Sequence, residues 1–397
     1  MVRVTVLFSV ALAVLTACGG PSTPSSTEDA DSAGHVISQA PLDNLAPELR
    51  DAGSAAKTMT YASRNGVNDA VSHVTGTVFV PKGDPPKDGF PIVALGHRTR
   101  GTTADCAPSL SPDLGGEAAT VAALLKAGYV VTVPDYQGLG KPTEPDEYDF
   151  HPYLDSTTAG YNMIDAVRAT YSMVPGASTS WAALGALEGG QAAWAANELV
   201  DNYGEGLTLV AAAAMAPMAN IEGLADAAMA GTLNPDQKLA YIAYLSALKD
   251  QYYYDFELDD YRRGAAQENW DALLSCHDPA QRRTLAEQLS PDDLRPANPE
   301  ALQTLRGYFQ KTNLPQGPTK AQMYVIYGGQ DSVIPAAWTD RALTEACKMG
   351  DGIQIAFWAD KPREQIEPLA ALGWLNDRMK SIPAANDCPA FLAAHQP

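Results

Sequence analysis

The segment from Leu184 to Gly190 has the residue spacing of a catalytic turn, but a leucine stands where the attacking group belongs. It reads Leu-Gly-Ala-Leu-Glu-Gly-Gly, with Leu187 at its centre. A nucleophile elbow has the pattern small-x-nucleophile-x-small at a sharp turn from a strand into a helix. The flanking residues are small because the helix packs tightly against the strand. The side chain of Leu187 has no lone pair, so the segment predicts the elbow frame and argues against hydrolysis at its centre.

A frame displaced by one residue gives an alternative, because it places Glu188 between small neighbours. Carboxylates act as covalent nucleophiles in some enzymes. Such a mechanism still requires a base close to the reacting group. The sequence therefore favours Leu187 as the elbow position and leaves Glu188 as an alternative nucleophile.

Strands and helices are predicted to alternate around this turn. Helical spacing or composition predicts helices over 117–127, 156–171, 191–200 and 369–379. Apolar runs predict strands over 73–80, 91–95, 129–133, 180–186, 207–214 and 322–327. This alternation favours an α/β fold with a mostly parallel sheet covered by helices on both faces.

The composition changes near Asn220, and no clear strand follows until about Gln316. Asn234 precedes Pro235, which predicts a helix N-cap with proline at the first helical position. We expect residues 221–316 to form an inserted helical cap between two parts of the core, 41–220 and 317–397. The aromatic residues at 252–254, 256 and 261 are expected to be core, with a lipid pocket as the alternative.

Residues 1–17 look like a lipoprotein signal peptide. A short apolar run is followed by Leu15-Thr16-Ala17-Cys18-Gly19, and the run is too short to span a membrane. Cys18 is the expected lipidation site, and residues 18–40 are an expected disordered tether. The alternative is an ordinary signal peptide with a chance cysteine. The lipoprotein interpretation places the protein on the outer face of the membrane, held through its lipid.

Charge and cysteine content limit the possible partners. The chain has 397 residues, 46% of them hydrophobic, and a net charge of −20, which repels phosphate backbones and argues against nucleic-acid binding. Four cysteines remain beside Cys18, and an even number in an exported protein favours disulfides. From the residues alone three pairings are possible. No cofactor and no metal site are expected.

Five further segments carry a family resemblance, and they extend from about residue 75 to residue 378. They are residues 96–109, 128–140, 151–154, 165–169 and 327–335. Together, in this order, they resemble the microbial secretory lipases, a branch of the α/β-hydrolases. The resemblance implies the α/β-hydrolase fold, and it also implies the disulfides Cys106–Cys276 and Cys347–Cys388.

The same resemblance implies an order of nucleophile, acid and histidine along the chain. Asp331 occupies the acid position, with a plain turn residue as the alternative. The histidine belongs between about residues 355 and 368, a segment that contains none. His395 is the only histidine beyond Asp331. We expect it to be a tail residue rather than a relocated base.

The loop expected to form the oxyanion hole is altered as well. His97-Arg98-Thr99-Arg100-Gly101 stands where the family has His-Gly-Thr-Thr-Gly, so that Arg98 and Arg100 replace two of its small positions. An arginine could anchor a carboxylate or phosphate. We favour the alternative, a relaxed loop whose arginines face solvent or pair with acidic groups. His97 and His151 are expected to have structural hydrogen-bonding roles.

These observations predict a surface-anchored, lipase-like protein without hydrolytic activity, which binds a lipid, an acyl ligand or an envelope partner. The alternative is an active lipase or esterase with displaced catalytic residues. A third hypothesis is a pure scaffold protein with no lipid ligand.

Overall fold

The computed structural model describes residues 32–141 and 150–395. The predicted signal peptide and Cys18 lie outside the described residues. Within them, none of the helices is long and apolar enough to span a bilayer.

Nine strands form one sheet, in the order β1-β2-β3-β5-β4-β6-β7-β8-β9. Strands β1, β2, β3 and β5 pair antiparallel, and every pair from β5 to β9 is parallel. The strands are Val36–Pro41 (β1), Gly53–Arg64 (β2), Val71–Pro81 (β3), Phe90–Gly96 (β4), Val130–Pro134 (β5), Ala177–Ala186 (β6), Thr208–Met215 (β7), Gln322–Gly328 (β8) and Ile353–Trp358 (β9).

The helices cover both faces of this sheet, which confirms the predicted α/β architecture. They are Pro47–Ala52 (α1), Ala118–Lys126 (α2), Ser156–Met173 (α3), Glu188–Tyr203 (α4), Gly223–Ala230 (α5), Pro235–Gln251 (α6), Gly264–Glu268 (α7), Trp270–Leu274 (α8), Pro279–Gln288 (α9), Pro299–Thr312 (α10), Ala336–Met349 (α11), Leu372–Met379 (α12) and Cys388–Ala394 (α13).

Small apolar residues build the middle of the sheet. Strand β7 reads Thr-Leu-Val-Ala-Ala-Ala-Ala-Met, and its last five residues are fully buried. Strands covered on both faces are continuous apolar runs rather than alternating ones. Alanines also leave room for α4, whose Trp194 is fully buried in the same core as Trp181 of β6.

Helices α5 to α10, residues 223–312, form a helical insertion between β7 and β8 and contain no strand. We call this insertion the cap. Its own buried cluster includes Tyr244, whose ring stacks on Phe309 with centroids 4.4 Å apart. Asn234 caps α6 through the backbone N–H of Gln237, as the Asn-Pro sequence predicts.

Three sequence expectations are wrong in part. Residues 36–40, assigned to a disordered tether, belong to β1, because this edge strand pairs along its whole length with β2. The segment expected to be a loop from residue 355 begins inside β9. Tyr253 and Tyr254 were expected in a core, but they are 63% and 89% exposed, whereas Phe256 and Tyr261 of the same cluster are buried.

Two disulfides confirm the pairing that the resemblance implies. Cys106, in the loop after β4, is bonded to Cys276, which follows α8. This bond fastens the cap to the loop beside the elbow. Cys347 of α11 is bonded to Cys388, so α13 is held against the last part of the core.

Candidate active site

Leu187 lies at a sharp turn between β6 and α4, with φ 59° and ψ −114°. A leucine at positive φ is strained, and such strain typically persists only where the surrounding structure enforces it. The enforcing contacts are backbone hydrogen bonds. The N–H of Leu187 donates to Met215, and its carbonyl accepts from Gln191 and Met218.

The glycines around Leu187 are required by close packing. A Cβ added to Gly189 would lie 2.0 Å from the carbonyl oxygen of Gly96, and one added to Gly185 would lie 2.1 Å from that of Gly189. Helix α4 thus begins in direct backbone contact with β4 and β6. This is the close approach for which the elbow spacing is needed.

Asp331, in the loop after β8, is held by three donors. Its Oδ1 accepts from the backbone N–H groups of Val333 and Ile334, at 2.8 and 2.9 Å. The third donor is the guanidinium of Arg363, whose Nη1 lies 3.4 Å from the same oxygen. Both side chains of this ion pair are 5% exposed.

Arg363 follows β9, in the segment where the family resemblance places a histidine. The contact between Arg363 and Asp331 was not predicted from the sequence. The available signal was a basic residue in that segment. Because guanidinium remains protonated in proteins, Arg363 can neutralise Asp331 but cannot accept a proton as a general base.

Arg98 of the altered oxyanion loop is paired with acidic groups. Its Nη2 lies 2.6 Å from Glu367, and its Nη1 lies 3.6 Å from Glu117, whose side chain is 1% exposed. Arg100 lies against Gly115, where an added Cβ would be 2.7 Å from its Nε. Arg98 therefore links α2 to the segment before α12. It is not a free anion anchor.

His97 of the same loop is fully buried. Its Nδ1 lies 2.7 Å from the carbonyl oxygen of Arg98, and its Nε2 lies 3.2 Å from that of Asp135. These contacts fix the loop at the end of β4. Burial raises the pKa of Asp135, and hydrogen bonds from Ser109 and Thr75 act in the opposite direction.

Glu188, the alternative nucleophile, is paired with His151. The His151 Nε2 lies 2.8 Å from Glu188 Oε1, and the Nδ1 of the same ring lies 3.0 Å from the carbonyl oxygen of Gln137. This pair could not be predicted from the sequence, because the two residues are 37 positions apart. Glu188 and His151 are only 1% and 5% exposed, so the carboxylate is not presented to a substrate.

Tyr153 joins several parts of the site. Its hydroxyl lies 3.3 Å from Thr99 Oγ1 and 3.6 Å from the sulfur of Met218. Burial raises the pKa of Tyr153 to about 12, and the negative charge of Glu188 acts in the same direction. The cations Arg363 and Arg282 act in the opposite direction. The pKa of Tyr153 is therefore influenced by charges both on the segment after β9 and on cap helix α9.

His395 makes no hydrogen bond or ion pair with Asp331 within residues 32–141 and 150–395. His395 directly follows α13. It contacts Phe391 of that helix and, at 3.9 Å, Asp340 of α11. Among the described residues, one group could resemble a metal site, namely Asp105, Cys106 and Cys276. Its two cysteines form a disulfide, so their sulfurs are not available as thiolate ligands.

The elbow, the loop that carries Asp331 and the cap have the arrangement of an α/β-hydrolase, with Leu187 at the centre of the elbow and Arg363 paired with Asp331. Comparison with known proteins supports the fold and gives the family. The secretory lipase family model matches residues 111–387, more than half of the chain, so the protein belongs to the secretory lipase family.

The relatives are lipases and esterases. A secreted triacylglycerol lipase, LIP4 of Malassezia furfur, is 26% identical over 186 residues, which is 44% of this chain and 33% of that protein. The match thus spans about a third of that relative.

Two solved structures share the fold at low identity. Candida antarctica lipase A in its closed state is 16% identical, with a TM-score of 0.69 over 89% of this chain and 84% of that one. A ligand-bound form of the rice cell wall degrading esterase LipA from Xanthomonas oryzae is 18% identical. Its TM-score is 0.66, over 91% of this chain and 97% of that one.

Proposed function

We propose that this secretory lipase family member binds a lipid or acyl ligand at the elbow without hydrolysing it. Two observations together carry the proposal, namely the Asp331–Arg363 ion pair and the leucine at the centre of the elbow. In a working triad the acid orients a neutral histidine and stabilises its imidazolium form. Here the acid is matched by a permanent cation, which cannot take a proton from any nucleophile.

The surroundings of Leu187 suit an apolar ligand. Leu187 is partly exposed and packs against the core cluster that holds Met215. Tyr153, Met218 and the cap aromatics form the adjoining apolar cluster. Surface cavities of about 450 and 650 Å³ lie elsewhere and include no residue of the elbow.

Ester hydrolysis and lipid binding are measured separately to test the proposal. We expect no turnover of short- or long-chain p-nitrophenyl esters above background and no covalent labelling by a fluorophosphonate probe. Native mass spectrometry of the purified protein should detect bound acyl species. Turnover or probe labelling would contradict the inactive assignment, and a ligand-free protein that takes up no added lipid would contradict the binding assignment.

The buried Glu188–His151 pair favours a second candidate, an esterase that uses a displaced carboxylate. This candidate predicts turnover that Glu188→Gln abolishes and Leu187→Ser leaves unchanged. The burial of both side chains counts against it, because a carboxylate nucleophile must touch the substrate.

Anchoring at Cys18 is part of the same proposal and rests on the lipobox at residues 15–18. Membership of a secretory family supports export. Cys18→Ala should move the protein from the membrane fraction to precursor or released forms. Unchanged fractionation would remove the lipoprotein assignment.

A further inference from the structure

A separate cavity of about 380 Å³ lies at the β9 edge of the sheet, a size that suits a small ligand. Its walls come from β8, β9, α11 and α13 with the residues that flank α13, and it includes no residue of the elbow. The side chains that line it are mainly aromatic rings and carboxylates, and none is a lysine or an arginine. This combination indicates which kind of ligand the cavity can hold.

Aromatic rings form one part of the cavity wall. Tyr327 of β8 and Phe357 of β9 are paired in the sheet, and their ring centroids are 5.1 Å apart. Phe391 of α13 and His395 stack on each other with centroids 4.1 Å apart. Phe357 is 51% exposed, so part of its ring is not covered by protein. The face of an aromatic ring is electron-rich and attracts a cation placed over it.

Two carboxylates line the same cavity. Asp340 of α11 accepts a hydrogen bond from the Tyr327 hydroxyl at 2.6 Å. The Nε2 of His395 lies 3.9 Å from the other oxygen of Asp340, beyond hydrogen-bonding distance. Asp387, which directly precedes α13, accepts from the backbone N–H of Ile355 at 2.8 Å. In the part of the chain that the structure describes, neither carboxylate is paired with a lysine or an arginine.

The rest of the chain cannot supply the missing charge. Outside residues 32–141 and 150–395 the sequence contains one lysine or arginine, Arg3, which belongs to the expected signal peptide. A cationic ligand would therefore complement the two carboxylates. A bare metal ion fits less well, because no three possible ligand atoms of this cavity lie close enough together among the described residues. Aromatic rings beside carboxylates suit an organic cation, and quaternary ammonium groups are typically bound by aromatic side chains.

We propose that this cavity binds a soluble molecule with a quaternary ammonium group, which lies between the ring of Phe357 and the carboxylates of Asp340 and Asp387. A phosphate attached to the same molecule would meet these two negative charges, which favours a free cation over a phospholipid head group. The proposal is independent of lipid binding at the elbow, since the two sites share no residue.

The test compares ligands of the same shape that differ in charge. Choline and its neutral analogue 3,3-dimethyl-1-butanol are titrated calorimetrically into the full-length purified protein at pH 8. We expect choline to bind at least about tenfold more tightly, because only the cation interacts with the rings and the carboxylates. Monomeric dihexanoylphosphatidylcholine should bind more weakly than choline. Tighter binding of this lipid would overturn the assignment of a soluble ligand.

Variants separate the contribution of the charge from that of the ring. Asp340→Asn should lower the affinity for choline about fivefold or more and leave the neutral analogue unchanged, and asparagine can still accept from Tyr327. Phe357→Leu keeps an apolar side chain without a ring, so it should lower the affinity for choline about three- to fivefold. Phe357→Tyr should keep the wild-type affinity.

Glu345→Gln is the matched control, because it removes a negative charge from the same helix outside the cavity, where Glu345 pairs with Lys348. It should change neither affinity. Unfolding curves establish that each variant is folded. The proposal is overturned by equal binding of choline and its neutral analogue, by binding of neither, or by wild-type affinity for choline in both Asp340→Asn and Phe357→Leu.

Discussion

The Asp331–Arg363 pair allows a quantitative test of how the buried carboxylate of Asp331 is stabilised. Arg363→Met removes the cation and keeps most of the side-chain volume. Breaking a buried ion pair by removing one partner typically costs about 3–5 kcal/mol. Both side chains are 5% exposed, so this range applies.

Two features of the structure place the effect at or below the lower end of that range. The Nη1–Oδ1 distance of 3.4 Å is long for a charge-assisted hydrogen bond. Asp331 also keeps two backbone N–H donors, from Val333 and Ile334, when Arg363 is lost. We therefore expect Arg363→Met to lower the free energy of unfolding by about 2–3 kcal/mol.

Replacing both partners should cost less than replacing one. In Asp331→Asn/Arg363→Met no charge is left buried, and the asparagine oxygen can still accept from the two backbone donors. We expect a loss of about 1 kcal/mol for this double variant, since removing both charges avoids the unpaired-ion penalty.

The assay is urea unfolding followed by circular dichroism and tryptophan fluorescence, with coincident transitions required before free energies are compared. Arg341→Met, which replaces an exposed arginine of α11, is the control and should change stability by less than about 0.5 kcal/mol. A single variant as stable as the control, or a double variant less stable than Arg363→Met, would refute the assignment of Arg363 as the counter-ion of Asp331.

Three further predictions concern activity, cap attachment and pH. Leu187→Ser alone should give no esterase turnover, because no base is available. Leu187→Ser/Arg363→His should give measurable turnover of a p-nitrophenyl ester, since triad members act as a unit. Cys276→Ser should lower the free energy of unfolding by about 2–5 kcal/mol in a denaturant titration, and an unchanged value would argue against the cap being fastened there. Burial raises the pKa of Glu198 to about 8, so its stabilising contribution is present below the unfolded-state pKa and is lost as the pH rises towards 8. Glu198→Gln should therefore flatten the fall in stability over that range, and parallel curves for variant and wild type would contradict the shift.

The central part of the fold was predictable because its constraints are local in the sequence. Strand β6, the glycines around Leu187 and the first residues of α4 are contiguous, and their small size is dictated by backbone contact with β4. The alanine run of β7 is likewise a direct consequence of burial on both faces.

Elements at the antiparallel edge were missed for a physical reason. Strand β1 is only partly buried, and β2 begins with small and polar residues at partly or fully exposed positions. Neither has the sustained apolar pattern that predicts a strand, since each is stabilised by pairing with its neighbours. Their register could not be read from composition.

The site's replacements were missed because they involve residues far apart in the chain. Arg363 lies 32 positions from Asp331, and His151 lies 37 positions from Glu188. The sequence shows which catalytic residue types are absent. It does not show which side chains pair with Asp331 and Glu188, because that depends on how the loops pack.

The retention of the elbow is best explained by packing rather than by catalysis. Leu187 keeps a positive φ, which costs on the order of 1–3 kcal/mol for a residue other than glycine. Its backbone satisfies donors and acceptors from β7, α4 and the loop after β7. Relaxing the turn would break these hydrogen bonds and separate α4 from β4, where Gly189 and Gly96 are in contact. The turn can therefore persist with a leucine at its centre, and a hydrolase-like backbone is by itself no measure of hydrolytic activity.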